Sequence, residues 1–330
     1  MRLPDIKMLD RKLLRDLWAM KSQVLAIALV MAAGLATLVM SLGVVESLDA
    51  TRSAYYNTYR FADVFMNVKR APESLQAEIA ASPGVQQVDT RVVVGATLDV
   101  PGMDEPATAQ LVSIPEGKQP SLNRLYLRTG RLVEPFRENE VVVGDAFAEA
   151  HTLKPGDTLS AVISGHKRTL EIVGVALSPE FTYSQAPGSM FPDNKRYAVL
   201  WMGRDALEAA HNMDGAFNDV TLTLMHSASE DEVIARLDDL AKPYGGLGAY
   251  SREDQLSDII VRGELEQLGA MAIVAPLIFL SVAAFLLNTV LARMISLERE
   301  QIGTLKALGV SNAEIGRHYI LFALVIAVLA

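Results

Sequence analysis

Val24–Val45 reads VLAIALVMAAGLATLVMSLGVV, an apolar run of 22 residues without one charged side chain. At about 1.5 Å of rise per residue, a helix of that length crosses a hydrocarbon layer of about 30 Å. A cleaved signal peptide has an apolar region of only about 7 to 15 residues, so the run is read as a membrane-spanning helix. A second uncharged run, Leu268–Leu291 (LGAMAIVAPLIFLSVAAFLLNTVL), is interrupted only by Pro276 and Asn288. Both are tolerable in a bundle, where neighbouring helices satisfy the freed backbone groups. A third run, from Ile320 to Ala330, ends with the chain after 11 residues. That is too short to cross, and the expectation is a fragment holding the start of a further span.

Charge placement orients these spans. The 330 residues carry 30 basic and 39 acidic side chains, a formal charge of -9. Residues 1–22 hold six basic residues (Arg2, Lys7, Arg11, Lys12, Arg15, Lys21) against three acidic ones, and residues 292–319 hold four (Arg293, Arg299, Lys306, Arg317) against three. Short basic segments beside spans stay in the cytoplasm, so both are expected inside. The 20 basic and 33 acidic residues left between the spans put the whole negative excess outside. Near the N-terminus Leu9, Leu13, Leu14, Leu17 and Trp18 form one apolar stripe, which suits a helix lying at the inner leaflet or the tilted start of the first span.

The exported segment has the material for a folded domain. Leu48, Arg52, Tyr55 and Tyr59 after the first span, and Val261, Leu265, Leu268 and Ala272 before the second, keep helical spacing. Two helical stalks are therefore expected to lead out of the bilayer. Between them a strand–helix–strand pattern occurs twice. The first has a strand at Asp63–Val68, a helix between Pro72 and Pro83-Gly84, and a strand at Val85–Val100. The second has a strand at Asp219–Met225, then a helix with a capping box at Ser229–Glu232 and a buried face of Val233, Leu237 and Leu240, ending at Pro243–Gly246. The insert between them reads as β, with Asn139–Gly144, Thr158–Ile163 and Arg168–Val175 as strands and Gly165 as a turn. The fold class expected is an α-helical transmembrane bundle plus an α+β extracytoplasmic domain, with two βαβ-like lobes around a small β-rich lobe. Ser178–Phe191 (SPEFTYSQAPGSMF) is either a loop that meets a ligand or partner or a plain surface excursion.

Chemistry is more easily excluded than assigned. With no cysteine there is no disulfide, zinc-thiolate site or thiol nucleophile. The histidines His151, His166, His211, His226 and His318 show no HxxxH or HxH spacing. No phosphate-binding G-x-x-x-x-G-K-[ST] occurs, and Gly165-His166-Lys167 lacks both the upstream glycine and the following hydroxyl residue. Gly245-Gly246-Leu247-Gly248 follows a helix instead of opening one, so it suits a terminator. No catalytic constellation and no cofactor, metal or nucleic-acid motif is found, and the chain is not expected to be an enzyme.

The most specific stretch is Ser296–Ile315, SLEREQIGTLKALGVSNAEI. It reads as a short helix closed at Gly309, then a turn with Ser311 as the N-cap of the next helix. This stretch resembles the signature of FtsX/MacB-type ABC permeases, E-I-G-x-L-K-A-L-G-x-S, in Ile302, Gly303, Leu305, Lys306, Ala307, Leu308, Gly309 and Ser311. Gln301 stands where that family commonly has glutamate. The resemblance extends over the chain: an amphipathic N-terminal helix (1–22), transmembrane helix 1 (23–45), a MacB-like periplasmic core domain with stalks (46–267) and transmembrane helix 2 (268–291). A cytoplasmic loop with a coupling helix (292–319) and a truncated transmembrane helix 3 (320–330) follow.

The resemblance implies a multi-pass protein of the bacterial inner membrane with its N-terminus in the cytoplasm. It implies as partners a separate cytoplasmic ABC ATPase docking at Ile302, Gly303, Leu305, Lys306, Ala307, Leu308 and Gly309, a second permease copy or half, membrane lipid and, in some members, a periplasmic adaptor. The implied work is export, lipoprotein extraction or movement of an outer partner. A membrane-tethered sensor or adaptor without transport is the alternative.

Overall fold

The computed structural model describes residues 8–189 and 191–330, with side chains from Arg11 onward. Arg2, Lys7, the Leu9 side chain and Met190, all used in the reading above, lie outside the described residues. In chain order the helices are α1 (Met8–Ala19), α2 (Lys21–Thr58), α3 (Ser74–Ala80), α4 (Asp145–His151), α5 (Arg204–Ala210), α6 (Glu230–Ala241), α7 (Leu256–Leu297), α8 (Arg299–Ala307) and α9 (Asn312–Leu329). The strands are β1 (Val64–Pro72), β2 (Val85–Arg91), β3 (Val93–Asp99), β4 (Ala107–Ile114), β5 (Tyr126–Gly130), β6 (Glu140–Gly144), β7 (Thr158–Ile163), β8 (His166–Leu177), β9 (Tyr197–Gly203), β10 (Ala216–Leu224) and β11 (Ala249–Ser251). They form two compact units, Met1–Ala50 with Glu264–Ala330, and Thr51–Gly263.

In the first unit, α2, α7 and α9 are each long and apolar enough to cross a membrane; α9 starts at Asn312, ahead of the run from Ile320 that alone was read as too short. Leu13 of α1, Val24, Ile27 and Ala28 of α2, Met294 of α7, and Tyr319, Phe322 and Ile326 of α9 make its buried core. Much of the remaining apolar surface points outward: Leu29 is 60% exposed, Val39 71% and Phe285 69%. Such a surface suits a hydrocarbon solvent, where only the backbone must be satisfied internally. Gly34 lets α2 approach α7 closely, since a Cβ at that position would lie 3.1 Å from Phe279 Cβ.

The second unit departs from the expected pair of βαβ-like lobes. The two strand–helix–strand segments interleave into one antiparallel sheet of order β11-β1-β10-β2, so each pair of parallel strands is split by a strand of the other segment. The reason is burial. Neither half covers an apolar face alone, whereas together Val64, Met66, Val220 and Leu222 line one face under Leu75 and Ile79 of α3 and Val233 and Leu237 of α6. Ser229 does precede α6, but its side chain makes no capping hydrogen bond; the capping box read there is absent.

The β lobe is larger than a small insert. Seven strands run in the order β5-β8-β6-β9-β4-β3-β7, and β7 also pairs with β8, which closes a barrel. Alternation sends Ala198, Leu200 and Met202 of β9 into one core and Val199 and Trp201 into another. The expected single strand over Val85–Val100 is two strands in different sheets. Arg91 and Val92 are both buried, which breaks the period of two. There Val92 exchanges hydrogen bonds with Ser113, its N–H donating to Oγ at 2.8 Å and its carbonyl accepting from the N–H at 2.9 Å. Ser164 (φ 50°) and Gly165 (φ 83°) turn β7 into β8, the positive-φ pair that a two-residue hairpin needs.

Candidate functional site

The segment Ser296–Ile315 forms a compact turn structure. α7 ends at Leu297, α8 occupies nine residues, and Gly309, at φ +93°, reverses the chain in a conformation that a side chain would strain. Ser311 then caps α9. Its Oγ accepts from the Glu314 N–H at 3.3 Å while Glu314 Oε2 accepts from the Ser311 N–H at 3.0 Å, a reciprocal box.

The structure divides the seven residues singled out by sequence. Ile302 and Leu305 are half-buried and turn toward their own chain, lining a small recess with Lys12, Ile315, His318 and Tyr319. Gly303, Lys306, Ala307, Leu308 and Gly309 are exposed, Leu308 by 77%. The outward face thus combines small residues, one lysine and one bare leucine; Ile302 and Leu305 serve its support. Nothing lies within 4 Å of a Cβ built on Gly303 or Gly309, so that face is open. A surface of this composition can seat against an apolar groove with one carboxylate.

Glu298, between α7 and α8, was not singled out by sequence. Its Oε2 accepts from Lys12 Nζ at 2.6 Å and from the Tyr319 hydroxyl at 3.1 Å. Lys12 and Glu298 are 286 positions apart, and no local spacing announces such a pair.

The other polar concentration lies within the second unit. Arg91 of β2 donates from Nε to Asp219 Oδ1 at 2.7 Å, and from Nη1 and Nη2 to the two Glu180 oxygens at 2.6 and 2.9 Å. Asn67 supports Asp219 at 2.9 Å and Asn123 supports Glu180 at 2.7 Å. Burial raises the Asp219 carboxyl above its ordinary range, with the Glu180 carboxylate adding to this and Arg91 opposing it. Gln255, just before α7, donates to the Glu180 carbonyl at 2.7 Å, and Ser257 Oγ accepts from the Tyr183 N–H at 3.1 Å. Tyr56 of α2 donates to Asp258 of α7 at 2.9 Å. The outer ends of both long helices are therefore bonded into the folded unit, and Ser178–Phe191 is anchored in its first half. Phe191 is 74% exposed. Among the described residues no group of three or more metal-ligating side chains comes together.

Two protein-family models match the chain, the FtsX-like permease C-terminal model over residues 273–330 and the MacB-like periplasmic core domain model over residues 24–240. No curated protein matches it. Solved structures similar to it include the periplasmic region of MacB from Actinobacillus actinomycetemcomitans, at 13% identity over 63% of this chain and 95% of that one, with a TM-score of 0.37. Another is the extracellular domain of the noncanonic ABC-type transporter YknZ from Gram-positive bacteria, at 14% identity over 58% of this chain and 98% of that one, TM-score 0.37. The core-domain match alone takes in most of the chain, and the permease match takes in α8, α9 and the later part of α7. The chain belongs to the FtsX/MacB-type ABC permeases, membrane components that carry a MacB-like extracytoplasmic domain.

Proposed function

We propose that this chain is the permease subunit of an ABC-type machine in which ATP is hydrolysed on a separate cytoplasmic subunit that grips α8. The observation that carries this reading is the exposed face of Gly303, Lys306, Ala307, Leu308 and Gly309. It sits on a short helix between two helices long and apolar enough to cross a membrane. Small residues permit close approach, Leu308 supplies apolar contact and Lys306 a charge to pair. Charge placement supports a cytoplasmic N-terminus and a cytoplasmic α8, with Thr51–Gly263 outside.

In this reading closure of the ATPase moves α8, and α2 and α7, continuous helices of 38 and 42 residues, carry the movement to the outer domain. The work done there is export, lipoprotein extraction or the displacement of an outer partner. A second permease copy or half completes the membrane part, and a periplasmic adaptor is a further candidate partner.

Co-expression with candidate ABC ATPases tests this. The expected outcome is a complex that purifies intact and hydrolyses ATP, and that Gly303→Trp combined with Lys306→Glu weakens by about tenfold or more, a loss of about 1.4 kcal/mol. Gly303 is exposed with open space around it, so the bulky residue acts on the partner and not on the fold. An equally stable complex with the double variant would remove α8 as the docking element.

A further inference from the structure

α8 contains no fully buried residue, and its apolar packing is limited to the half-buried Ile302 and Leu305. It is joined to α7 through Glu298, whose φ of -91° and ψ of 11° depart from helical values. A joint of that kind can turn. Its main chain still bridges the two helices, the N–H donating to the Met294 carbonyl at 3.0 Å and the carbonyl accepting from Ile302 at 2.9 Å. What holds the side chain is a three-way contact. Glu298 Oε2 takes both Lys12 Nζ of α1 and the Tyr319 hydroxyl of α9, while Lys12 also donates to Asp16 Oδ2 at 2.6 Å. His318 Nε2 is 3.5 Å from that same Asp16 oxygen and makes no hydrogen bond. The charged side chains are only 12 to 17% exposed. Charge-assisted bonds with so little water around them are shorter and stronger than neutral ones.

We infer that Lys12 and Glu298, with Tyr319, are the positioning residues of the coupling element: they pin the α7–α8 joint to α1 and α9. A push on α8 then displaces these helices together instead of turning the joint. The inference rests on the reading of α8 as the element an ATPase grips, and it gives the N-terminal helix a part in force transmission as well as in membrane contact. One lysine bridges two carboxylates here. Its loss leaves Asp16 and Glu298 facing each other without the cation they share.

The natural absence of cysteine makes the test direct. Spin labels at Arg15→Cys and Ala307→Cys, both exposed positions, report the α1–α8 distance in the full chain in lipid nanodiscs. The expected result is a narrow distance distribution that broadens with Lys12→Glu or Glu298→Lys and narrows again when the two are combined. The milder Tyr319→Phe, which removes one hydroxyl, broadens it partly. With the ATPase bound, either single reversal should leave co-purification unchanged and lower permease-stimulated hydrolysis about fivefold or more, the lower end of ordinary coupling energies; the charge swap should restore it. Single variants that keep both the narrow distribution and full stimulation would overturn the pin, as would a swap no better than its singles. Failure of the ATPase to bind even the wild type would instead overturn the functional reading, and the distances would still decide the pin.

Discussion

Arg91 serves two carboxylates at once, and among the described residues neither has another cation in contact. Arg91→Leu leaves Asp219 and Glu180 buried against each other and should cost about 3 to 5 kcal/mol, read as a lowered melting temperature of the purified chain. Asp219 also sets a pH dependence. Its folded pKa is raised above the unfolded value, so the native state binds the extra proton, and this contribution to stability is full below the ordinary carboxylate range of about 4. It is lost as pH rises through the folded pKa. The stability difference between wild type and Asp219→Asn should therefore change in favour of the variant as pH rises from about 4 toward neutrality, and parallel melting profiles would contradict it. None of this network was legible in the sequence. Arg91 lies 89 positions from Glu180 and 128 from Asp219, and each alone looks like any charged residue of an acidic segment. The proposed α8 docking residues could be singled out as a motif because they are contiguous. Contiguity could not reveal which way each faces, and Ile302 and Leu305 turned out to support the helix.

Local punctuation was the most readable feature at the level of elements. Gly309 and Ser311 bracket a reversal that needs a positive φ and then a capping oxygen, and the structure has both. Ser311→Ala should destabilise the first turn of α9 by about 1 kcal/mol, seen as faster amide exchange over residues 312–315 with the rest of the chain unchanged. The same reasoning at Ser229 failed, because the acceptor geometry there is not formed although the residue type is right. Close approach between α2 and α7 depends on Gly34. Gly34→Leu should cost about 1 to 3 kcal/mol through overpacking, whereas Gly43→Leu, with open space at its Cβ, should leave thermal stability in detergent unchanged. Equal effects at the two glycines would show that Phe279 does not limit the approach. The break between β2 and β3 was hidden within a run, Arg91–Val94, that is apolar after its first residue. A change of sheet is a matter of partner, and period-two reasoning identifies a strand without naming the sheet it joins.

On the scale of the whole molecule, the two repeated strand–helix–strand segments were legible as segments and not as an arrangement. Strands β1 and β10 pair across about 150 residues of chain, and which sheet they share is decided by which apolar faces need cover. The closure of the barrel through β7 and β8 is likewise a long-range outcome of local hairpins. Family membership was carried by a short contiguous motif and by the order of apolar runs, both of which survive in a single sequence. The central claim, that Thr51–Gly263 works on one side of a membrane while α8 is gripped on the other, rests on the basic flanks at 11–21 and 293–317. Because the chain has no cysteine, one measurement addresses it: single exposed cysteines, Lys167→Cys in the outer barrel and Ala307→Cys in α8, treated with a membrane-impermeant maleimide in intact spheroplasts and again after lysis. The account predicts labelling of position 167 in intact cells and of position 307 only after lysis; labelling of both positions in intact cells, or the reverse order, would contradict it.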